Sequence, residues 1–491
     1  MDKITAAIEK GQPITLKSVT LPGNIEKLLD EIIEKILIKY QRLELLNGII
    51  VCMKEITGNA KKANLKRVFF KKQGLDINDK SQYEEGMERF KSEVLNNLEL
   101  YYDLLDKLKY FIQVTYQYSG EGIIVTVSNN TPITDKELER IRKRYVKALD
   151  YDGAEEALME ILDDTEGAGL GIIMIVLMLK KLGASPKNFV INSRDGLTVA
   201  RLAIQFKKLD QQMISKLAEE IFKEIQNLPP FPENIARIRD LLRNEEADIP
   251  TISSIIKTDP SLTADLLKLS NSAQFMLPRK VSSIDEAIKI IGLRGLRAVI
   301  ESYGTKVILD NRFGKMEALW QHAYRVAFYS QELAKNRRLD KTMLEDIFLG
   351  GLLHDLGKIV ISSMHPELQE RIRKICIDKN LKGAVLEDLA MGITHAKVGA
   401  LLAEKWNFPD ILVKAIDYHH DPIFADDENH PIVYTVYLAN AFAMIEIGEF
   451  RADQLDKNVL DFFNLKDEKD ISTVSLRLKQ LYERRRATFD S

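Results

Sequence analysis

Seven histidines occur in the chain, and all of them follow residue 320: His322, His354, His365, His395, His419, His420 and His430. Five stand in helix-like surroundings with acidic or polar neighbours, in "LWQHAYRVAFYSQELA", "LLHDLGK", "THAKVGALLAEKW" and "AIDYHHDP". Imidazole is the commonest protein metal ligand, and a carboxylate can bridge two ions. The stretch "GGLLHDLGKIV", Gly350 to Val360, sets His354, Asp355 and Lys358 into an otherwise apolar run. Burial of an unpaired charge is costly, and a neutral polar group also needs a partner. These side chains therefore either satisfy one another in a hydrogen-bond network or are satisfied by a metal ion or a phosphate.

A second set of candidates lies near the N-terminus. "KEITGNAKKAN" places Glu55 and Asn59 one helical turn apart on one face, with Lys62 following. An amide oxygen and a carboxylate can hold Mg²⁺ beside a phosphate. The alternative is that they are solvated polar positions beside a buried stripe. "GAGLGI", Gly167 to Ile172, puts small residues where the chain turns into a helix. Backbone N–H groups at such a turn favour anions, although tight helix–sheet packing asks for the same residues.

The elements that must position these groups follow from composition and pattern. A chain of 491 residues suggests two to four domains at about 150 residues each. With 45% apolar and 29% charged residues it belongs to the globular class. A net charge of −3, with acids and bases interleaved, gives no general drive toward nucleic acid or an anionic membrane. Cys52 and Cys376 form no C-x-x-C pair, which fits a reducing cytoplasm and offers neither a disulfide framework nor a thiolate metal site. "MDKITAAIEKGQ" has no apolar signal region, and the longest apolar run, Leu170 to Leu179, is far short of the roughly 20 residues of a membrane helix.

Three prolines in "QNLPPFPEN", Gln226 to Asn234, mark the clearest break. Before it, helix and strand patterns alternate; after it almost everything reads as helix. Leu43 to Asn64 has helical apolar spacing at Ile49, Met53, Ile56, Ala60 and Ala63. "KRVFFKK", Lys66 to Lys72, reads as a short strand, and Gln82 to Leu108 as a helical insert. "FIQVTYQY" and "GIIVTVSN" alternate like paired strands about a Ser-Gly-Glu-Gly turn. Thr134 and Glu137 form a capping-box pattern before "ELERIRKRYVKAL". "FVINS" and "LTVARLAIQF" read as strands around the turn at Arg194 to Gly196. This is an α/β sandwich pattern, with helices on one face of a mostly antiparallel sheet. In the final helix, Arg484 to Arg486 complement the helix C-terminal dipole.

The N-terminal stretches together resemble the ATP-binding domain of histidine kinases and the GHKL ATPases, over about Gly23 to Phe206. Glu55, Asn59 and Lys62 match the family's E-x-x-x-N-A-x-K box, and Gly167, Gly169 and Gly171 its G-x-G-x-G lid box. The resemblance implies that Asn59 coordinates Mg²⁺ and that the glycines line the triphosphate of ATP. The adenine-binding D-x-G-x-G stretch reads "SNNTPIT", with Asn129 in place of the Asp and both glycines gone. Asp163, Asp164 and Glu166 precede the glycines, and no phospho-acceptor histidine segment is present. The implied domain is a nucleotide sensor or a nucleotide-free relic.

The C-terminal part resembles HDOD, the HD-related output domain of bacterial signalling proteins, over about Ile225 to Glu449. "LPPFPENIARI", "IIKTDPSLTADLLKLSNSAQF", "SSIDEAIKIIGLRGLRAVI" and the histidine segments carry the likeness. Related HD phosphohydrolases hold metal with H…HD…D. His322 matches the first ligand, His354 and Asp355 the dyad, and Asn440 of "LANAFA" stands where the last acid belongs. His395, His419 and His420 match the added histidines of the HD-GYP phosphodiesterases, and Lys358 their phosphate-contacting lysine, while the G-Y-P segment is missing after "HHDP".

The expected chain therefore has an N-terminal extension (1–22), a degenerate GHKL-like α/β sandwich (23–210), a linker helix (211–224), an all-helical HDOD domain (225–450) and a helical tail (451–491). It is expected to be a cytoplasmic bacterial signalling protein. Its HDOD part would bind a partner protein or ligand without catalysis, its state biased by nucleotide or by bound iron, manganese or zinc. "QFMLPRK", Gln274 to Lys280, is a candidate partner surface. The rival expectation is a metal-dependent phosphohydrolase acting on a cyclic dinucleotide or nucleotide.

Overall fold

The computed structural model describes residues 2–151, 155–157, 170–206, 215–242, 249–258, 260–270, 281–340, 343–379 and 381–490. Asp163, Asp164, Glu166, Gly167, Gly169 and the Gln274 to Lys280 segment lie outside the described residues. The chain divides into two compact units, Met1–Ile214 and Ser215–Ser491.

The first unit is built on a five-stranded antiparallel sheet. Its strands are β1 (Ile14–Ser18), β2 (Ile112–Ser119), β3 (Gly122–Asn129), β4 (Phe189–Arg194) and β5 (Leu197–Gln205), in the order β1-β2-β3-β5-β4. Alternation decides which face is buried. Ile112, Val114 and Tyr116 of β2, Ile123, Val125 and Val127 of β3, and Leu202 and Ile204 of β5 are all nearly inaccessible. The β2–β3 register pairs Ser119 with Gly122 across a two-residue turn. In the β4–β5 turn, Asp195 (φ 54°) and Gly196 (φ 78°) are both left-handed, the backbone that matches the strands' own twist. β1 was not evident in the sequence; it is short and only Ile14 in it is buried.

Helix Leu46–Gln73 packs on β2 and β3 and against helix Leu170–Lys181. It corrects one expectation: Lys66 to Lys72 is not a strand but the last two turns of this helix. Aromatic and β-branched residues in a row suggested a strand. Leu65, Val68 and Phe69 continue the helical stripe instead, and Phe69 and Phe70 pack against Phe90, Tyr83 and Tyr101. Gly74, left-handed at φ 70°, ends the helix. The expected insert is two helices, Lys80–Asn96 and Leu98–Lys107.

The capping box forms as expected. Glu137 N–H donates to Thr134 Oγ1, and Thr134 N–H donates to Glu137 Oε2 at 3.1 Å. Glu137 also accepts from Lys66 and Arg67, each at 2.7 Å, which ties helix Asp135–Asp150 to the long helix. Burial raises its pKa, but the Arg67 and Lys66 charges more than reverse this and pull it down to about 2. Because the folded pKa is depressed, the stabilisation is full above about pH 4.5 and is lost as the pH falls toward 2. Glu137→Gln should cost about 1–3 kcal/mol of local stability at pH 7. Hydrogen exchange in helix Asp135–Asp150 should show this loss, with wild type and variant converging at acid pH.

Among the described residues of the second unit every regular element is helical. Helix Lys216–Asn227 belongs to this unit: Ile221 and Ile225 are buried, the Ser215 hydroxyl donates to the Met391 carbonyl, and Lys405 Nζ donates to the Ile225 carbonyl at 2.9 Å. The prolines of Gln226 to Asn234 thus turn the chain within the unit rather than between units. The core joins Phe328 and Tyr329 of helix Glu317–Arg337 to Leu438 and Phe442 of helix His430–Glu446 and to Leu478 of helix Glu468–Asp490. The span Leu344–Met364, though interrupted by Glu345, Asp346, His354, Asp355 and Lys358, is long and apolar enough on average to cross a membrane by composition alone. It is two helices, Leu344–Leu353 and Leu356–Met364, mostly buried among their neighbours.

Candidate metal centre

His354 and Asp355 occupy the turn between those two helices. Close packing brings distant residues to them. A Cβ on Gly357 would lie 1.9 Å from the His395 carbonyl oxygen and 2.7 Å from the Gly399 nitrogen. Helix Leu356–Met364 therefore meets helix His395–Lys405 backbone to backbone, which only glycine allows. Gly351 makes a similar approach to Ala327 of helix Glu317–Arg337. His419 and His420 enter from the end of helix Asp410–Asp417, and Asn440 from helix His430–Glu446.

Asp355 is the centre. Its Oδ2 lies 3.3 Å from His354 Nε2, 3.6 Å from His322 Nε2 and 2.8 Å from Lys358 Nζ. Its Oδ1 lies 3.4 Å from His395 Nε2 and 3.5 Å from His419 Nε2. Two groups share the carboxylate: Asp355 with His395, His419 and His420, and Asp355 with His322 and His354. Within each group the ligand atoms lie within 4.8 Å of one another, so each could hold a metal ion. Only His322, Lys358 and His420 are partly exposed; the other groups are buried.

Outer contacts set the ring orientations. His354 Nδ1 donates to the Gly351 carbonyl and His419 Nδ1 to the Ile416 carbonyl, each at 2.7 Å. His395 Nδ1 donates to Glu387 Oε2 at 2.6 Å. Each ring then presents Nε2 inward, the arrangement that metal-ligating histidines adopt. Two of these nitrogens, on His395 and His419, are 3.3 Å apart, and His420 Nε2 is 2.9 Å from His395 Nε2. Facing lone pairs repel unless a proton or a cation lies between them. Burial opposes charge on His395, but the Glu387 carboxylate overrides it and raises the pKa. Burial holds His419 down to about 4 and His420 well below its usual range. Burial would raise the Asp355 pKa, but His354 and Lys358 hold it well below the usual carboxylate range.

The two sides of Asp355 differ. On the Oδ2 side Lys358 already supplies a positive charge, and His322 Nε2 donates to Asn440 Oδ1 at 3.1 Å, which occupies that nitrogen. On the other side Oδ1 is buried without a hydrogen-bond partner; His354 Nε2, on the Oδ2 side, is also buried without one. A buried unsatisfied carboxylate oxygen is costly, and it faces the inward Nε2 atoms of His395 and His419.

All seven residues singled out here from the sequence, His322, His354, Asp355, His395, His419, His420 and Asn440, thus come together. His365 and His430 lie apart; His430 stacks on Tyr434 with ring centroids 4.4 Å apart. Glu387 was missed. It sits eight residues before His395 on a separate helix, and nothing local in the sequence marks it.

In the first unit Glu55, Asn59 and Lys62 lie along helix Leu46–Gln73. Gly171 sits against the first two: a Cβ there would lie 2.2 Å from Glu55 Oε2 and 3.6 Å from Asn59 Nδ2. Glu55 is buried and Lys62 exposed. Asn129 is buried on β3, where its amide donates to Asn64 Oδ1 at 3.0 Å and to the Thr131 hydroxyl. Asn64 and Thr131, which complete this network, gave no sequence signal.

A helical bundle with an aspartate-centred histidine cluster defines the class. The chain contains an HDOD domain: residues 228–422 match that family. A Treponema pallidum (strain Nichols) protein described only as uncharacterized is 34% identical over 482 residues, spanning 98% of this chain and 94% of that one, so the likeness runs through both units. An HDOD domain protein of unknown function from Geobacter sulfurreducens shows 23% identity and a TM-score of 0.45, covering 56% of this chain and 96% of that one. A candidate signal transduction protein from Marinobacter aquaeolei gives 18%, 0.45, 62% and 76% for the same quantities. A candidate metal-dependent phosphohydrolase from Shewanella amazonensis gives 17%, 0.39, 55% and 97%. At this level of likeness none of the three fixes a chemistry for this chain.

Proposed function

We propose that the chain is a cytoplasmic signalling module whose bundle holds a single divalent ion between Asp355 Oδ1, His395, His419 and His420, and which acts on a protein partner through its bound state rather than by turnover. The observation that carries this reading is Asp355 Oδ1, buried without a hydrogen bond and 3.4 and 3.5 Å from the Nε2 atoms of His395 and His419, with His420 in the same group. A set of imidazoles and one carboxylate suits iron, manganese or zinc. When bound, such an ion supplies a fixed positive charge and Lewis acidity. The residues themselves tie three parts of the bundle together: the turn at Asp355, the start of helix His395–Lys405 and the end of helix Asp410–Asp417. Those junctions are where occupancy would be felt by a partner.

Against turnover stands the Oδ2 side. Two-metal hydrolysis needs a second ion to stabilise the leaving oxygen. Asn440 offers no charge there, and Lys358 competes for Oδ2. Asn440→Asp should raise metal occupancy measurably by elemental analysis and could be assayed for slow hydrolysis; unchanged occupancy would contradict the account. The rival reading, a phosphohydrolase acting on a cyclic dinucleotide or nucleotide, draws on Lys358, partly exposed beside the acid. Robust metal-dependent hydrolysis by the wild type, lost in Asp355→Ala, would establish it instead.

For the first unit we retain Mg²⁺–ATP binding by a GHKL-like fold as the proposal, with Glu55, Asn59 and Lys62 along one helix and Gly171 against the first two in its support. Calorimetry on the full chain should show weak ATP binding that Asn59→Ala reduces further. No heat at millimolar ATP leaves the relic reading.

A further inference from the structure

Glu387 lies outside every motif that pointed to the site, yet it is among the most buried acids in the protein, at 3% exposure. Its position on helix Gly383–Met391 aims one oxygen at two hydrogens of the same residue. Oε2 accepts from His395 Nδ1 at 2.6 Å and from the His395 backbone N–H at 2.8 Å. Oε1 accepts from Gln369 Nε2 at 3.2 Å. Gln369 lies on a third helix, Pro366–Lys379, so the carboxylate is itself held in place.

The other two anchored rings differ in kind. His354 and His419 lean on backbone carbonyls three residues back, which are neutral acceptors supplied by their own turns. His395 leans on a full carboxylate from a different helix. A charged acceptor behind an imidazole makes its other nitrogen a stronger donor to a cation, and fixes the ring against rotation. The backbone contact adds a second constraint. His395 is the first residue of helix His395–Lys405, and its N–H is one that no helical carbonyl can reach. Capping that N–H with the oxygen that also holds the ring locks side chain and helix start to one point.

From this geometry we infer that Glu387 is a positioning residue that orients His395 and strengthens it as the dominant ligand for a divalent cation at the Asp355 cluster. The inference rests on the metal-site reading above. Gln369 serves it in turn by holding the second carboxylate oxygen. His395 then differs from His419 and His420 in what each contributes: His395 supplies most of the affinity, and the paired rings complete the donor set.

A plain structural role, capping one helix, predicts something different, and Glu387→Gln separates the two. Glutamine keeps the shape and an acceptor oxygen for the backbone N–H, but removes the charge behind the ring. The full chain should retain its circular dichroism and its melting temperature to within a few degrees. Its affinity for Co²⁺, measured by competition with a chelator, should fall about 10- to 100-fold, and the visible bands of the Co²⁺ form should shift. Gln369→Leu should produce a smaller loss in the same direction. In the metal-free wild type, ¹⁵N shifts of the His395 ring should report a strongly hydrogen-bonded Nδ1–H that Glu387→Gln weakens. If the wild type binds Co²⁺ and Glu387→Gln binds it equally with unchanged bands, this inference falls and the metal site stands. If the wild type binds no Co²⁺, the metal site falls and this inference with it.

Discussion

Replacing Asp355 with alanine is expected to lower the metal affinity of the full chain at least about 100-fold, since loss of a direct ligand exceeds the effect of an outer partner. Among the described residues the carboxylate is the only ligand group shared by both histidine sets. The same change takes from Lys358 the carboxylate paired with it at 2.8 Å. Breaking a buried pair by removing one partner costs about 3–5 kcal/mol. Lys358 keeps 21% of its side chain exposed, so the lower end, about 3 kcal/mol, is expected. Denaturation of the metal-free protein measures the second effect separately from the first. Adding Lys358→Met to Asp355→Ala should recover part of the lost stability and none of the metal affinity.

Gly357→Ala should be nearly as damaging, for a steric reason. The new methyl group would sit 1.9 Å from the His395 carbonyl oxygen and 2.7 Å from the Gly399 nitrogen. Both are backbone atoms of a packed helix, so no rotamer change relieves the contact. The helices must separate, at a cost of about 3 kcal/mol or more. Separation also draws His395 away from Asp355, so metal affinity should fall with stability. Gly383→Ala is the matched control, because a Cβ there meets nothing within 4 Å. Urea denaturation should place this control within about 0.5 kcal/mol of wild type and Gly357→Ala well below it.

The histidine cluster was legible because its residue types are rare in apolar helices and because five of them fall in similar surroundings. Their convergence depends on Gly351, Gly357 and Gly399, whose role is purely steric and appears only when two backbones meet. Glu387 was hidden for a related reason: an acid on an ordinary amphipathic helix looks like a solvated one until its neighbour across the fold is known. In the first unit the β2–β3 and β4–β5 hairpins and the Thr134 cap were readable, since each is fixed by residues close in sequence. Lys66 to Lys72 was misread because a row of aromatics fits either a strand or a helix buried on a wide face. The helices Lys80–Asn96 and Leu98–Lys107 create that wide face, and only tertiary packing chooses between the two. Asn129 was singled out for an adenine contact, while the structure engages its amide with Asn64 and Thr131.

The asymmetry of the Asp355 carboxylate is the central claim, and metal counting on variants tests it most directly. Wild-type, His395→Ala and His322→Ala chains would be purified without chelator or histidine tag under reducing, metal-replete conditions, and their ions counted by elemental analysis. The account predicts about one ion per wild-type chain, nearly all of it lost in His395→Ala and most of it kept in His322→Ala. A wild type without metal, a wild type with two ions, or equal loss in the two variants would contradict it.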